Sequence, residues 1–363
     1  MTGTSSLLVL SEFDAVTWTR RWRAGEIPSV LPYGMEDLHR TGWELRIPQQ
    51  HRPRGRLRRK LLDATTHRLG HPWWQAVDHL SSARASAAVM GVLEPHAVMA
   101  ARLRRLGITG YADLPLMALT CWAGQTLRDG NAAQRERVRD QLGPLDRLFV
   151  LSRNQVQIFH DHGFRAGQVI PVPYGIDHRF YTPAPGVERD IDVLAVGQDG
   201  GRDYGTLLDA VRGLPLQLVV VAKPENLAGL DIPSNVEFLG RVSHHEYRHL
   251  LRRARLAAVP THDLAYPTGQ SVALESAAAG TPLVVTSTAA MREYFTDGRE
   301  AVMPAPGAVA AWRDGLMDLL HDDGSRTALA VSARERVHAG FTTAHLWSAV
   351  DAELSTLVSR EAV

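Results

Sequence analysis

Residues 255–288 read RLAAVPTHDLAYPTGQSVALESAAAGTPLVVTST. Leu256 to Val259 is a short apolar run of the kind that forms a strand buried on both faces. The loop after it ends in Pro267-Thr268-Gly269-Gln270-Ser271, small and polar. A helix follows, stopped by Gly280 and kept from continuing by Pro282, and a second buried strand comes next. A helix that starts after such a loop presents free backbone N–H groups and a positive dipole end, with no bulky side chain in front of them. Gly269, Gln270 and Ser271 are therefore candidate donors to a phosphate or diphosphate. Glu275 lies one turn in, where it can reach a ribose hydroxyl. The same pattern also fits an ordinary strand–helix–strand unit of an α/β domain, with no ligand at all.

The pattern repeats on both sides of this stretch. Leu7–Leu10, Ala87–Leu93, Leu116–Cys121 and Arg147–Leu151 read as strands. Val98–Leu106, Arg135–Gln141 and Asn154–His162 read as helices, the first and last closed by Gly107 and Gly163. Alternating strands and helices predict parallel sheets wrapped by helices. Pro173, Pro183, Pro185 and Gly186 cluster at a break over 174–190, and a second alternating set runs from Ile191 to Val337. Residues 11–60 resist this reading.

Several segments resemble the retaining family-4-type glycosyltransferases of the GT-B fold. They are ALESAAAGTPLV over 273–284, VIPVPYGIDHRFYTP over 169–183, DVLAVGQDGGRDYGTLLDAV over 192–211 and VEFLGRVSHHEYRHLL over 236–251. The resemblance covers roughly residues 85–355. It implies an α/β protein of two Rossmann-like domains facing across a cleft: an acceptor-side domain over 1–175 and a nucleotide-sugar domain over 176–342. It also implies a C-terminal helix over 343–363 that crosses back to the first domain. The implied activity is transfer of a sugar from a nucleotide-diphosphate donor to an unidentified sugar-containing or natural-product acceptor, with retention and without cofactor or metal.

Residue by residue, the resemblance places Arg202 at a phosphate-binding lysine and Glu275 at the ribose-holding glutamate. Gln198 replaces a second expected cation. Pro267 stands where a glutamate beside the transferred sugar belongs, and Asp263 is the nearby acid that could substitute, or else a turn residue. Neither Cys121 nor Trp122 supplies the expected histidine. Glu94 and His96, just after a buried strand, are the candidates for polar and catalytic work, with His96 equally readable as a helix-start residue. Trp18, Trp22 and Arg23, after the first strand, are acceptor-binding candidates: tryptophan faces stack on sugars and arginine forks bind anions. Two anchoring tryptophans on a surface helix would look the same. The departures leave open a degenerate member that binds a nucleotide or a partner without transfer.

Composition bounds these readings. A chain of 363 residues suits two domains, and a net charge of +1 gives no electrostatic case for nucleic acid. Lys60 and Lys223 are the only lysines among 40 basic residues, a bias expected of a GC-rich bacterial genome such as an actinobacterial one. The single cysteine, Cys121, fits a reducing cytoplasm. His245-Glu246-Tyr247-Arg248-His249 spells the H-E-x-x-H of zinc hydrolases. However, Ser243 and Glu246 form a predicted capping box, Arg252 and Arg253 share the histidine face, and no third ligand follows. The basic run His51–Lys60 reads as a solvated loop, with docking on anionic lipid at a membrane surface the less favoured alternative.

Overall fold

The computed structural model describes residues 5–48 and 56–361. The chain divides into two compact units. One gathers the residues up to Arg21, Val30–Pro173 and those from Leu346 on; the other gathers Trp22–Ser29 and Tyr174–His345.

The first unit holds six parallel strands: β1 (Ser5–Leu10), β2 (Trp43–Arg46), β3 (Ala88–Val92), β4 (Leu116–Leu119), β5 (Arg147–Val150) and β6 (Val169–Pro171). Their order is β2-β1-β3-β4-β5-β6. β3 and β4 are buried at every position, which is why they read as unbroken apolar runs rather than alternating ones. β2 was not legible in the sequence. It is an edge strand, WELR, pairing with β1 alone, and its charged residues carry no core signal. The helix Thr343–Glu361 is tied into this unit by Trp347 Nε1 donating to the Tyr33 carbonyl (2.8 Å), Trp43 Nε1 donating to Asp351 Oδ1 (2.7 Å) and the Arg147–Glu353 ion pair (2.7 Å).

The second unit holds β7 (Ile191–Val196), β8 (Leu218–Val221), β9 (Val236–Phe238), β10 (Ala254–Val259) and β11 (Leu283–Val285), all parallel, in the order β11-β10-β7-β8-β9. Successive residues of β10 point to opposite faces. Leu256 and Ala258 join one core cluster with Val193, Val220 and Trp312, while Ala257 and Val259 join the other with Leu194, Leu274 and Phe295. Each fully buried Leu or Val contributes about 1.5–3 kcal/mol, so both faces hold the sheet.

In each sheet the chain runs outward from a central strand and then returns to that strand's other side. The reversals fall between β1 and β3 and between β7 and β10. Loops leave such a point in opposite directions and open a crevice at the carboxyl ends of the strands, where ligands bind. Of the basic run, His51–Gly55 lies outside the described residues, and Arg56 begins the helix Arg56–Leu69. No helix among the described residues is long and apolar enough to cross a membrane.

Candidate functional site

The β7/β10 reversal is where the second unit concentrates unusual chemistry. The loop after β7 and the loop after β10 are stitched together by an antiparallel bridge between Arg202 and Thr261 and by His262 N–H donating to the Gly201 carbonyl (2.9 Å). Asp199 Oδ1 accepts from the Gly201 N–H, and Asp203 caps the helix Tyr204–Val211 through Thr206 N–H (3.1 Å). These bonds fix the Arg202 backbone and turn its side chain inward.

The Arg202 side chain is not solvated. The residue is 8% exposed, and its Nε and Nη1 are buried without a hydrogen-bond partner. Burial lowers the guanidinium's pKa, opposed by Tyr204 and Asp199. Two glycines make room for it. A Cβ at Gly197 would collide with Arg202 Nε, and one at Gly269 with Arg202 Nη1 and with Val259. Gly269 also sits at φ 88°, in the left-handed region, as the N-cap of the helix Gln270–Ala278. The sequence placed Arg202 and Gly269 in one site; the structure packs them against each other.

Two threonine hydroxyls add to the set. Thr261 Oγ1 and Thr268 Oγ1 are also buried without a partner. Thr268 Oγ1 approaches the Cβ position of Gly201, next to Arg202. Sequence reasoning missed both, although Thr268 lies inside the stretch that decided the fold. An orphaned buried polar group costs about 1–3 kcal/mol. Three residues carrying such groups gather at one switch point.

The helix start is narrower as a donor set than its sequence suggested. Gln270 N–H donates to the Pro267 carbonyl (3.1 Å), so of the three candidates it is already engaged, while Ser271 is half-buried. Glu275 accepts a hydrogen bond at Oε2 from the Tyr247 hydroxyl (2.9 Å), and the Tyr181 phenol faces the same carboxylate. Burial pushes its pKa up to about 7, against the pull of Tyr247, Tyr181 and Arg202. Gln198 and Asp263 are both exposed, and Pro267 is buried.

The remaining candidates are differently occupied. Glu94 begins the helix Glu94–Arg105 after Leu93, whose φ of 71° is strained for a non-glycine residue. Its carboxylate accepts from Thr120 Oγ1 (3.1 Å) and from the N–H groups of Cys121 (3.0 Å), Trp122 (2.6 Å) and Ala123 (2.7 Å), which start the helix Ala123–Asp129. It neutralises a helix start. His96 is buried, its Nδ1 lies 2.7 Å from Gln75 Oε1, and Gln75 Nε2 donates to the Ser11 carbonyl (2.7 Å). Burial lowers its pKa to about 4, so it is neutral with Nδ1–H donating. Trp18 packs edge-on against Phe13 (5.1 Å). Trp22 and Arg23 are exposed at the end of the helix Ala15–Arg23, none of whose residues is buried.

His245, Glu246 and His249 are exposed, and no group of three metal-ligating side chains occurs among the described residues. Ser243 Oγ caps Glu246 N–H (3.1 Å), one half of the expected capping box. A cavity of about 720 Å³ opens near the starts of β10 and β11, lined by Arg189, Arg255, Arg326 and Arg334 among others. Arg189, Arg255 and Arg326 donate to main-chain carbonyls at helix ends, so these cations are already engaged.

The sequence family described as "Glycosyl transferase-like" matches residues 202–351. Glycogen synthase of Mycobacterium tuberculosis is 36% identical over 104 residues, 29% of this chain and 24% of that protein. The chain thus spans about a quarter of that relative's length. Sucrose-phosphate synthase from Thermosynechococcus elongatus superposes with a TM-score of 0.72 at 16% identity, covering 98% of each chain. HepE of Anabaena, solved with UDP and glucose, superposes with a TM-score of 0.68 at 14% identity over 97% of this chain and 100% of its own. Residues 202–351 are thus similar to the glycosyl transferase-like family, the two parallel Rossmann-like sheets have the fold of these GT-B neighbours, and the motifs resemble the retaining family-4-like glycosyltransferases.

Proposed function

We propose that this protein is a glycosyltransferase that binds a nucleoside-diphosphate sugar in its second unit and transfers the sugar to a separate acceptor with retention. One observation carries the reading. Arg202 is a buried cation with two orphaned donors, beside two orphaned threonine hydroxyls, at the β7/β10 switch point. A diphosphate supplies the acceptors these groups lack. Arg202 and the first-turn N–H groups from Ser271 onward would then stabilise the charge that grows on the leaving diphosphate as the glycosidic bond to the donor breaks. Glu275 would hold the ribose. UDP, present in the HepE structure, is the first donor nucleotide to test. Trp18, Trp22 and Arg23 are the acceptor-side candidates.

A second reading has its own support. Glu94 is fully engaged as a helix cap, His96 is neutral and tied to Gln75, and Pro267 stands where the resemblance expects a glutamate. A nucleotide-binding protein without transferase activity would look like this. A panel of nucleotide sugars, scored by thermal shift and by release of nucleoside diphosphate, separates the two. A true donor at about 100 times its dissociation constant adds about 2.7 kcal/mol of stability. Stabilisation with release supports transfer. Stabilisation without release, across a broad acceptor panel, supports the second reading. The proposed transfer needs no metal; activity abolished by chelator and restored by a divalent ion would overturn that part.

A further inference from the structure

Tyr247 is the central residue of the H-E-x-x-H pentad and reads in the sequence as part of an apolar helix face. In the structure it is 7% exposed on the helix His244–Arg253, and its hydroxyl donates to Glu275 Oε2 at 2.9 Å. Tyr181, 1% exposed, stands edge-on to it with ring centroids 6.0 Å apart, and its phenol faces the same carboxylate. Two buried phenols therefore converge on one glutamate from two different elements. We propose that Tyr247 and Tyr181 are positioning residues that clamp the Glu275 carboxylate, so that the second unit selects nucleotides with an intact ribose over those lacking the ribose hydroxyls. This rests on the nucleotide-binding reading above.

The chemistry follows from the contacts. A glutamate one turn into a buried helix has several rotamers, and only some aim an oxygen at a bound sugar ring. The Tyr247 O–H fixes one carboxylate oxygen with the Tyr181 phenol packed beside it, and ordering the group beforehand removes that entropic cost from binding. Both phenols also favour the ionised form, the better acceptor for a ribose hydroxyl. The charged and titratable groups facing Glu275 are Tyr247, Tyr181 and Arg202, and all three favour its ionised form; burial opposes them. Tyr181 in turn is faced by Tyr174 and Arg248, and its hydroxyl lies 3.5 Å from His244 Nδ1. Removing the Tyr247 hydroxyl weakens the clamp and raises the Glu275 pKa further.

The test uses the full chain with UDP, GDP and ADP and their 2′,3′-dideoxy counterparts, by calorimetric titration from pH 6 to pH 9. Wild type should bind the best ribonucleotide about tenfold or more tightly than its dideoxy form, with affinity falling as pH drops through about 7. Tyr247→Phe keeps the ring and should cut that ratio several-fold, leave dideoxy binding unchanged and move the pH midpoint upward. Tyr181→Phe should do the same, which covers the case in which one variant misfolds. In a Glu275→Gln background neither tyrosine substitution should alter the ratio further. Equal weakening of both nucleotide forms, or an unmoved ratio and pH profile, overturns the clamp while leaving the nucleotide site standing. Failure of all three ribonucleotides to bind wild type overturns both.

Discussion

Arg202→Met separates what Arg202 does for the fold from what it does for a ligand, because the two effects have opposite signs. In the free protein Nε and Nη1 are buried and unpartnered. Each such donor costs about 1–3 kcal/mol. Methionine keeps the unbranched stem, fills part of the channel between Gly197 and Gly269, and leaves the backbone bridge to Thr261 untouched. The attractions of Arg202 to Asp199, which keeps its hydrogen bond from the Gly201 N–H, and to Glu275 are lost. That loss strands no charge, since the Glu275 carboxyl, already raised to about 7, protonates readily. The net expectation is a gain in stability of about 1–3 kcal/mol, smaller than the sum over both donors. Nucleoside-diphosphate binding moves the other way. Two charge-assisted hydrogen bonds at about 1.5–3 kcal/mol each predict affinity weaker by about 10²–10⁴-fold. Denaturation without ligand and calorimetric titration with UDP measure the two quantities on the same variant. A variant that loses stability in step with affinity, or keeps wild-type affinity, refutes the diphosphate-binding role: Arg202 would then be a structural cation.

Three further outcomes are expected. His96 is held neutral with a pKa near 4, below the usual 6.5. The stability it contributes is therefore complete above pH 6.5 and is lost as pH falls toward 4, up to about 3 kcal/mol; His96→Asn should show a smaller drop in urea midpoint between pH 7 and pH 4.5 than wild type. Glu94→Gln replaces an acceptor-only group with one carrying an NH₂ that faces the N–H groups of Cys121, Trp122 and Ala123. It should cost about 2–4 kcal/mol in denaturation, with nucleotide affinity unchanged. Trp22→Ala and Arg23→Ala alter exposed side chains, so stability should stay within about 0.5 kcal/mol while the acceptor KM rises; a matching loss of donor affinity would remove them from the acceptor side.

What the sequence made legible was the placement of elements, and the limit of that reading has a physical origin. Apolar runs such as those of β8 and β10 report burial on both faces directly, and Gly269 with Gly280 punctuates the helix between β10 and β11. Periodicity, however, reports which side of an element faces inward and is silent on what a polar atom does once there. Tyr247 counted as one apolar contact on a helix face, yet its hydroxyl is what orients Glu275. Glu94 has its four donors 26 to 29 residues away, on a loop that only the parallel pairing of β3 with β4 brings alongside. Local sequence could offer it as a free acid and could not show it as a cap. Arg202 is the converse case. The resemblance put it at a phosphate-binding position, while its burial depends on Gly197 in its own loop and on Thr261 and Gly269 in the separate loop after β10. A strand order that reverses at β7 is what gathers those segments, so the groups that bear most on function were the ones whose setting is fixed by topology rather than by their neighbours in sequence.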